Sequence, residues 1–464
     1  MVSSGFLIGF CLVLLLTVWT GIAAKRQIHK ASDFTNASGT LRVGTVMGAL
    51  VGGFVGGTSI IGTGEMAFRH GLTAVWFTLG GGLAIILLGV FAGQLRAMQV
   101  ETLPALVGKL HGQTAQLGAS IFLSLGMFIQ LIAQILAALP VLNTFGQAST
   151  AILAIVPAVL ILAYVLLGGF IGASQVGSLK TVLLLTLLVG TGIYFADILP
   201  FSIYQKWYVG GKLSLVSSGA GSVWAQGGAM LIGVFSTQAY LQPVFAAKST
   251  KDARNGSFMA GIIIIIIGLL SAWIGMFMHE HNPELAPREA ITQFFLAYTP
   301  AWVGGTAYGV ILLSVVMTGA ALALSIGTII NQDVIQRYTV RFQRDRVKLG
   351  VSRLFIFLSI LLAYLVVCSS ENSLILEWAF LSMTLRGVTL FFPVMAYLLK
   401  FGAVHPKWAA FSVWGAPICS LVWAWTLFPV TGIDPFYIGG AVSLLGLLIG
   451  KWAKRMKVSL NDSY

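Results

Sequence analysis

The chain has 464 residues, of which 57% are hydrophobic and only 9% charged, with mean hydropathy +0.92 and formal net charge +13. Water-soluble domains carry about 25% charged residues, so this composition excludes a soluble globular protein. The three cysteines, Cys11, Cys368 and Cys419, fall in apolar segments, which argues for small core thiols and against structural disulfides.

Apolar runs separated by polar breaks predict an all-α polytopic membrane protein with about thirteen spans of bilayer-crossing length. They lie near 4–24, 43–68, 73–95, 117–142, 150–169, 175–199, 224–242, 257–278, 303–331, 351–370, 374–399, 408–429 and 435–452. The first is long enough to span, so it reads as an extra N-terminal helix and not as a cleavable leader.

Orientation follows from Lys and Arg, which concentrate on the cytoplasmic side. With the N-terminus outside and the C-terminus cytoplasmic, 21 of the 27 Lys and Arg fall in inner loops and four in outer loops. The remaining two, Lys180 and Arg386, lie within spans. This asymmetry accounts for the net charge without nucleic acid; the expected location is the plasma membrane. The basic run at 337–348 is a cytoplasmic loop suited to anionic lipid.

The second span contains "GALVGGFVGGTSIIGTGE", Gly48 to Glu65, in which 7 of 18 residues are glycine. Gly48, Gly52 and Gly56 are spaced four apart, as close helix packing requires. The other reading is an unwound segment whose freed peptide groups line a site. Thr58 and Ser59 follow directly, which favours the second reading. An inverted-repeat transporter would then need a matching broken helix in its second half. Five spans on, "WAQGGAMLIGVFSTQAYLQ" carries Gly227, Gly228 and Gly233, then Ser236, Thr237 and Gln238. The expected organisation is one membrane domain over 1–464, with five-plus-five repeats at 43–199 and 224–399. The first and sixth core helices are broken, and 4–24 and 408–452 are additions.

Other classes find no support. There is no GxxxxGK[ST] phosphate loop, HExxH, CxxC or paired-carboxylate arrangement. No TVGYG-type filter is present. The six histidines fall in loops or at span ends, and only His279 and His281 share a loop. An enzyme is not expected, nor a prosthetic cofactor, a nucleic-acid partner or an obligate protein partner. The expected partners are a small-molecule solute and the lipid bilayer.

Several motifs, in order, resemble the sodium/solute symporter family. "KASDFTNASGTLRVGT" is similar to its loop after the extra first helix, and "SIIGTGEMAFRHGL" to the end of its first core helix. "TLPALVGKLHG" follows the second core helix. "TQAYLQPVFAAKSTKDARNG" resembles its signature at the inner end of the sixth, and "SIGTIINQDVIQRY" the end of the eighth. The resemblance implies a leucine-transporter-type fold, alternating access and ion-driven uptake. It implies a Na+ site made by the carbonyls of Gly52 and Val55, the carbonyl of Ser314 and the hydroxyl of Thr318.

The chain departs from that pattern. Met317 stands where the family places a second hydroxyl, and a thioether is a poor ligand for sodium. The family's aspartate on the fifth core helix falls on Gly177, with Lys180 one turn later. A lysine inside a span is functional by default, although at a cytoplasmic helix end it can snorkel. Sodium is the leading coupling ion. The alternative is a proton-coupled or sodium-independent transporter in which Lys180 replaces the metal.

Glu65 and Arg386 lie on helices that face one another in this fold, and the expectation is that they pair as the outer gate closes. Arg69 with Glu377 is another pairing. Alternatively, Arg386 binds a solute carboxylate directly, which suits its planar fork. Candidate solute contacts are Thr58, Ser59, Thr78, Ser236, Gln238 and Arg386. Thr78 replaces an acid of sugar-carrying relatives, and Gly233 replaces a gate aromatic. The loss of polar groups favours a carboxylate or amino acid over a sugar. A membrane sensor with this fold and no transport would share all these features.

Overall fold

A backbone crossing hydrocarbon must satisfy its own peptide groups, which a helix does within one segment. The computed structural model describes residues 3–25, 39–98, 100, 102–146, 148–198, 201–335, 345–370 and 373–461, and their regular structure is helical. The start of the motif at 30–45 and most of the basic loop at 337–348 lie outside the described residues. The longer helices are α1 (Ser4–Lys25), α2 (Val43–Phe54), α3 (Thr63–His70), α4 (Trp76–Val90), α5 (Leu103–His111), α6 (Gln113–Asn143), α7 (Thr150–Ile198) and α8 (Ala220–Phe235). They continue with α9 (Gln238–Ala246), α10 (Thr250–His281), α11 (Ala301–Ile329), α12 (Asp345–Ser369), α13 (Ile375–Leu398), α14 (Pro406–Thr426) and α15 (Pro435–Asn461).

Among the described residues nine helices are long and apolar enough to cross a bilayer, or ten when the bent pair α8–α9 counts as one span. Three shorter apolar helices, Ser4–Thr17, Val43–Phe54 and Thr150–Leu166, accompany them. The expected interruption near residue 170 is absent: Thr150–Ile198 is one helix. The segment between its two apolar stretches is glycine-rich and lacks proline, and a membrane helix tolerates glycine without breaking.

α6 and α11 are buried along most of their length, whereas α12 and α15 turn most of their residues outward. The outward residues are apolar, including Leu354, Phe357, Leu361 and Leu365 of α12 and Leu444, Leu445 and Leu448 of α15. That inversion of the soluble pattern is what a lipid surface demands. α1 packs on α11 and α7, and α14 pairs with α15 beside α13. α2 lies directly on α7: a Cβ added to Gly52 would stand 2.7 Å from the Cα of Gly177. The small-residue spacing therefore does bring two backbones together, one turn before the break.

The C-terminal end of α9 explains the signature following the second broken helix. Its last carbonyls accept from Arg96, at 3.1 Å for Val244 and 3.2 Å for Phe245, with a further bond to Ala247. A cation at a helix C-terminus is favoured by the helix dipole. Leu41 and Ala247 form a short parallel bridge there, and Ser249 caps α10 by accepting from Asp252 N–H at 3.0 Å.

Candidate solute and cation site

The first break follows Phe54. Val55 sits at φ −76° and ψ 88°, close to an inverse γ-turn. The Gly56 N–H accordingly donates to Phe54, two residues back, at 2.9 Å. That bond diverts it from the Gly52 carbonyl, which leaves the helical ladder. Gly57 N–H also finds a side chain, donating to Gln134 Oε1 at 2.9 Å. The chain resumes as a wide π-turn at Thr58–Gly62 before α3. The break is thus built from glycine and held by Gln134 of α6. Gln134 Nε2 donates in turn to Thr58 Oγ1 at 3.0 Å, and Gln130, one turn earlier, reaches the same oxygen at 3.4 Å.

The released Gly52 carbonyl accepts from Lys180 Nζ at 2.8 Å and from Thr318 Oγ1 at 3.3 Å. Two of the expected cation-site residues, Gly52 and Thr318, are brought together by these bonds, with the alternative proton-site residue Lys180 beside them. Val55 turns at the break. Lys180 has no exposed surface. Ser314 lies one turn before Thr318 and directs its own hydroxyl to Val310 at 2.7 Å.

The second break falls at Ser236 and Thr237, where α8 and α9 meet at 44°. Thr237 adopts extended backbone, and its hydroxyl donates to the Gly233 carbonyl at 2.7 Å. The same hydroxyl accepts from Arg386 Nη1 at 2.8 Å. Arg386 is fully buried and also donates to the Ser382 hydroxyl at 2.7 Å, the Ser382 carbonyl at 3.2 Å, the Met383 sulfur at 3.1 Å and Gln130 Oε1 at 3.5 Å. Gln130 therefore links Arg386 to Thr58, and so one broken helix to the other.

The remaining candidates separate. Ser236 Oγ is buried with no hydrogen-bond partner among the described residues. Ser59 donates to the Phe54 carbonyl at 3.0 Å. Gln238 turns away to cap α5, accepting from Leu103 N–H at 2.7 Å. Thr78 bonds to the Val75 carbonyl at 3.1 Å and packs against Gly268 of α10. Glu65 accepts from Ile375 N–H at 3.2 Å, at the positive N-terminus of α13. Arg386 lies eleven residues further along α13, roughly 16 Å of helical rise. The two do not pair in this conformation, and the one ion pair among the described residues joins Lys206 to Glu280.

Sequence reasoning passed over Gln130, Gln134 and Ser382, and it named Thr237 at the second break without counting it among the solute contacts. The first two carried a signal: two amides one turn apart in an otherwise apolar span are costly unless bonded.

Two broken apolar helices, buried polar side chains converging on both breaks and a largely apolar exterior are the features of a secondary transporter of inverted-repeat type. A model of the sodium:solute symporter family matches residues 34–399, and the chain belongs to that family. It is a membrane protein for cation-coupled symport of a small solute, and its relatives are transporters, not enzymes. Its fold is similar to that of a Na+-coupled sialic acid symporter in a substrate-bound outward-open state, at 16% identity and TM-score 0.79 over 96% of this chain and 97% of that one. It is also similar to a nucleobase–cation symport family transporter in a closed conformation with bromovinylhydantoin bound, at 13% identity and TM-score 0.61 over 92% and 96%. A manganese transporter of Eremococcus coleocola follows, at 13% identity and TM-score 0.56 over 91% and 97%. At these identities the likeness is one of fold. No match is found among the curated proteins compared.

Proposed function

We propose that this protein imports a small organic carboxylate or amino acid by alternating access, with the solute carboxylate held by Arg386. The observation that carries this is the company Arg386 keeps. Its guanidinium is fully buried, and its acceptors are two hydroxyls, an amide, a carbonyl and a thioether, all neutral. A buried cation without an opposite charge is strongly disfavoured. A solute carboxylate supplies that charge and matches the planar fork. A sugar supplies none.

The unpartnered Ser236 hydroxyl and the Thr58 hydroxyl are the nearby groups proposed to complete the solute site. Ser59 belongs to the same break, whereas Thr78 and Gln238 contribute through helix packing and capping. The coupling-cation site is proposed at the first break, around the carbonyls of Gly52, Val55 and Ser314 and the Thr318 hydroxyl, where either a metal ion or the Lys180 ammonium would sit.

The same reading divides the membrane domain into repeats at 43–199 and 224–399, each opening with a broken helix. The Lys and Arg distribution supports an outer N-terminus and a cytoplasmic C-terminus, with the plasma membrane as the proposed location. Uptake into proteoliposomes across a panel of monocarboxylates, amino acids and sugars tests the solute class. The expected result is carboxylate uptake that Arg386→Gln abolishes. Sugar uptake that survives Arg386→Gln would end the reading.

A further inference from the structure

The family's name implies sodium, so the first break has to be tested as a sodium site. A hard cation needs several oxygen lone pairs directed at one point. The Gly52 carbonyl has two lone pairs, and two donors already approach it: Lys180 Nζ at 2.8 Å and the Thr318 hydroxyl at 3.3 Å. Met317 stands beside Thr318 where a second hydroxyl would serve a metal. A metal ion bound to Gly52 would also lie within contact of an ammonium, charge against charge. The residues present do not fit sodium here.

The helix packing shows how the lysine comes to be there. A Cβ on Gly177 would stand 2.8 Å from the Gly48 carbonyl, and one on Gly52 would stand 2.7 Å from the Gly177 Cα. Only glycine lets α7 approach α2 this closely, and Lys180 follows Gly177 by one turn on the same face. A side chain at 177 long enough to ligate a metal would force the two helices apart. Glycine at 177 and lysine at 180 thus form one device. The helices bounding the break, α2, α6 and α11, contain no acidic residue, so the ammonium meets a neutral peptide oxygen, the Gly52 carbonyl that a metal ion would otherwise use.

We infer that the Lys180 ammonium is the resident cation of this site and takes the place of Na+. The inference rests on the cation placement proposed above and not on the identity of the solute.

The test needs no solute. The purified full-length protein is melted in NaCl and in choline chloride at matched ionic strength. A ligand that binds the folded state raises Tm in a saturable, concentration-dependent way. The expected result is equal Tm for the wild type in both salts, with a Na+-dependent rise appearing in Lys180→Ala, whose truncated side chain frees the Gly52 carbonyl and leaves room for an ion. A saturable rise in the wild type would overturn the inference, whether or not the variant folds. A folded Lys180→Ala that is also indifferent to Na+ would overturn it too. Failure of the Arg386 reading would leave every one of these melting curves unchanged, so the two are separable.

Discussion

Arg386 Nη1 donates to the Thr237 hydroxyl at 2.8 Å, which ties the middle of α13 to the point where the second broken helix changes direction. Any motion of α9 relative to α13 must stretch this bond or carry the guanidinium with it. Solute binding and helix movement therefore meet in one contact. Arg386→Lys keeps the charge but loses the fork. A hydrogen bond to a charged group contributes about 1.5–3 kcal/mol, so KM for the transported carboxylate should rise roughly 10–100-fold. Thr237→Val should raise it less, since the carboxylate contact survives. Initial-rate uptake measures both. An unchanged KM in Arg386→Lys would remove the guanidinium from the solute site.

The Arg386 stem lies against Gly126 of α6, where an added Cβ would approach Cγ to 2.6 Å. The Ser382 hydroxyl donates to the Gly126 carbonyl at 2.5 Å, fixing the same helix pair. Gly126→Ala should push the guanidinium off Thr237 and Gln130 while costing about 1–3 kcal/mol of stability, as overpacking does. Uptake and Tm read together should show transport falling further than stability explains.

The fold was legible because its strongest signals are local. Glycine followed by hydroxyls marked both breaks, at Gly56–Ser59 and at Gly233–Thr237. The site was less legible because its geometry comes from helices far apart in sequence. That Gln134 would donate to one break, or Gln130 bridge Thr58 to Arg386, depends on how α6 crosses both broken helices. Gln238 looked like a ligand because it sits at a break, yet a side chain there can turn either way, and this one caps α5. Thr150–Ile198 runs on as one helix because glycine permits a bend or stop without requiring it.

Gln134 holds the first break open by replacing a helical acceptor for Gly57 and donating to Thr58. Gln134→Leu leaves a buried N–H and a buried hydroxyl without these partners, at a cost of about 1–3 kcal/mol per group. The expected outcome is a lower Tm and loss of uptake. Gln134→Glu, which retains the acceptor, should recover more of the stability than Gln134→Leu. Equal losses in the two variants would show that the amide fills space and does not organise the break.

His111, at the end of α5 and outside the spans, places a stability change in the mildly acidic range. Burial pushes its imidazole below the usual histidine pKa, and the bond to the Pro393 carbonyl at 3.1 Å only partly opposes this. The unfolded chain then takes up the proton at a higher pH than the folded one. Stability is full above the unfolded value of about 6.5 and declines as pH falls from there toward the folded pKa. His111→Gln should flatten that part of the Tm-against-pH profile. A wild-type profile that rises on acidification through this range would contradict the assignment.

Lys180 bears on the driving force. A fixed ammonium cannot leave the site as Na+ does, but it can exchange a proton with water on either side of the membrane. Proteoliposomes free of sodium, with an acidic exterior and a more alkaline lumen, should therefore accumulate the carboxylate. Replacing external choline with Na+ at constant pH should change the rate little. Lys180→Met, similar in size but without a charge, should abolish the response to the pH gradient. It should leave binding of the carboxylate to Arg386, read by solute-dependent Tm, within a few-fold of wild type. Uptake that requires Na+ in the wild type and persists in Lys180→Met would place the coupling ion elsewhere, and the lysine would then serve only to hold α7 against the break.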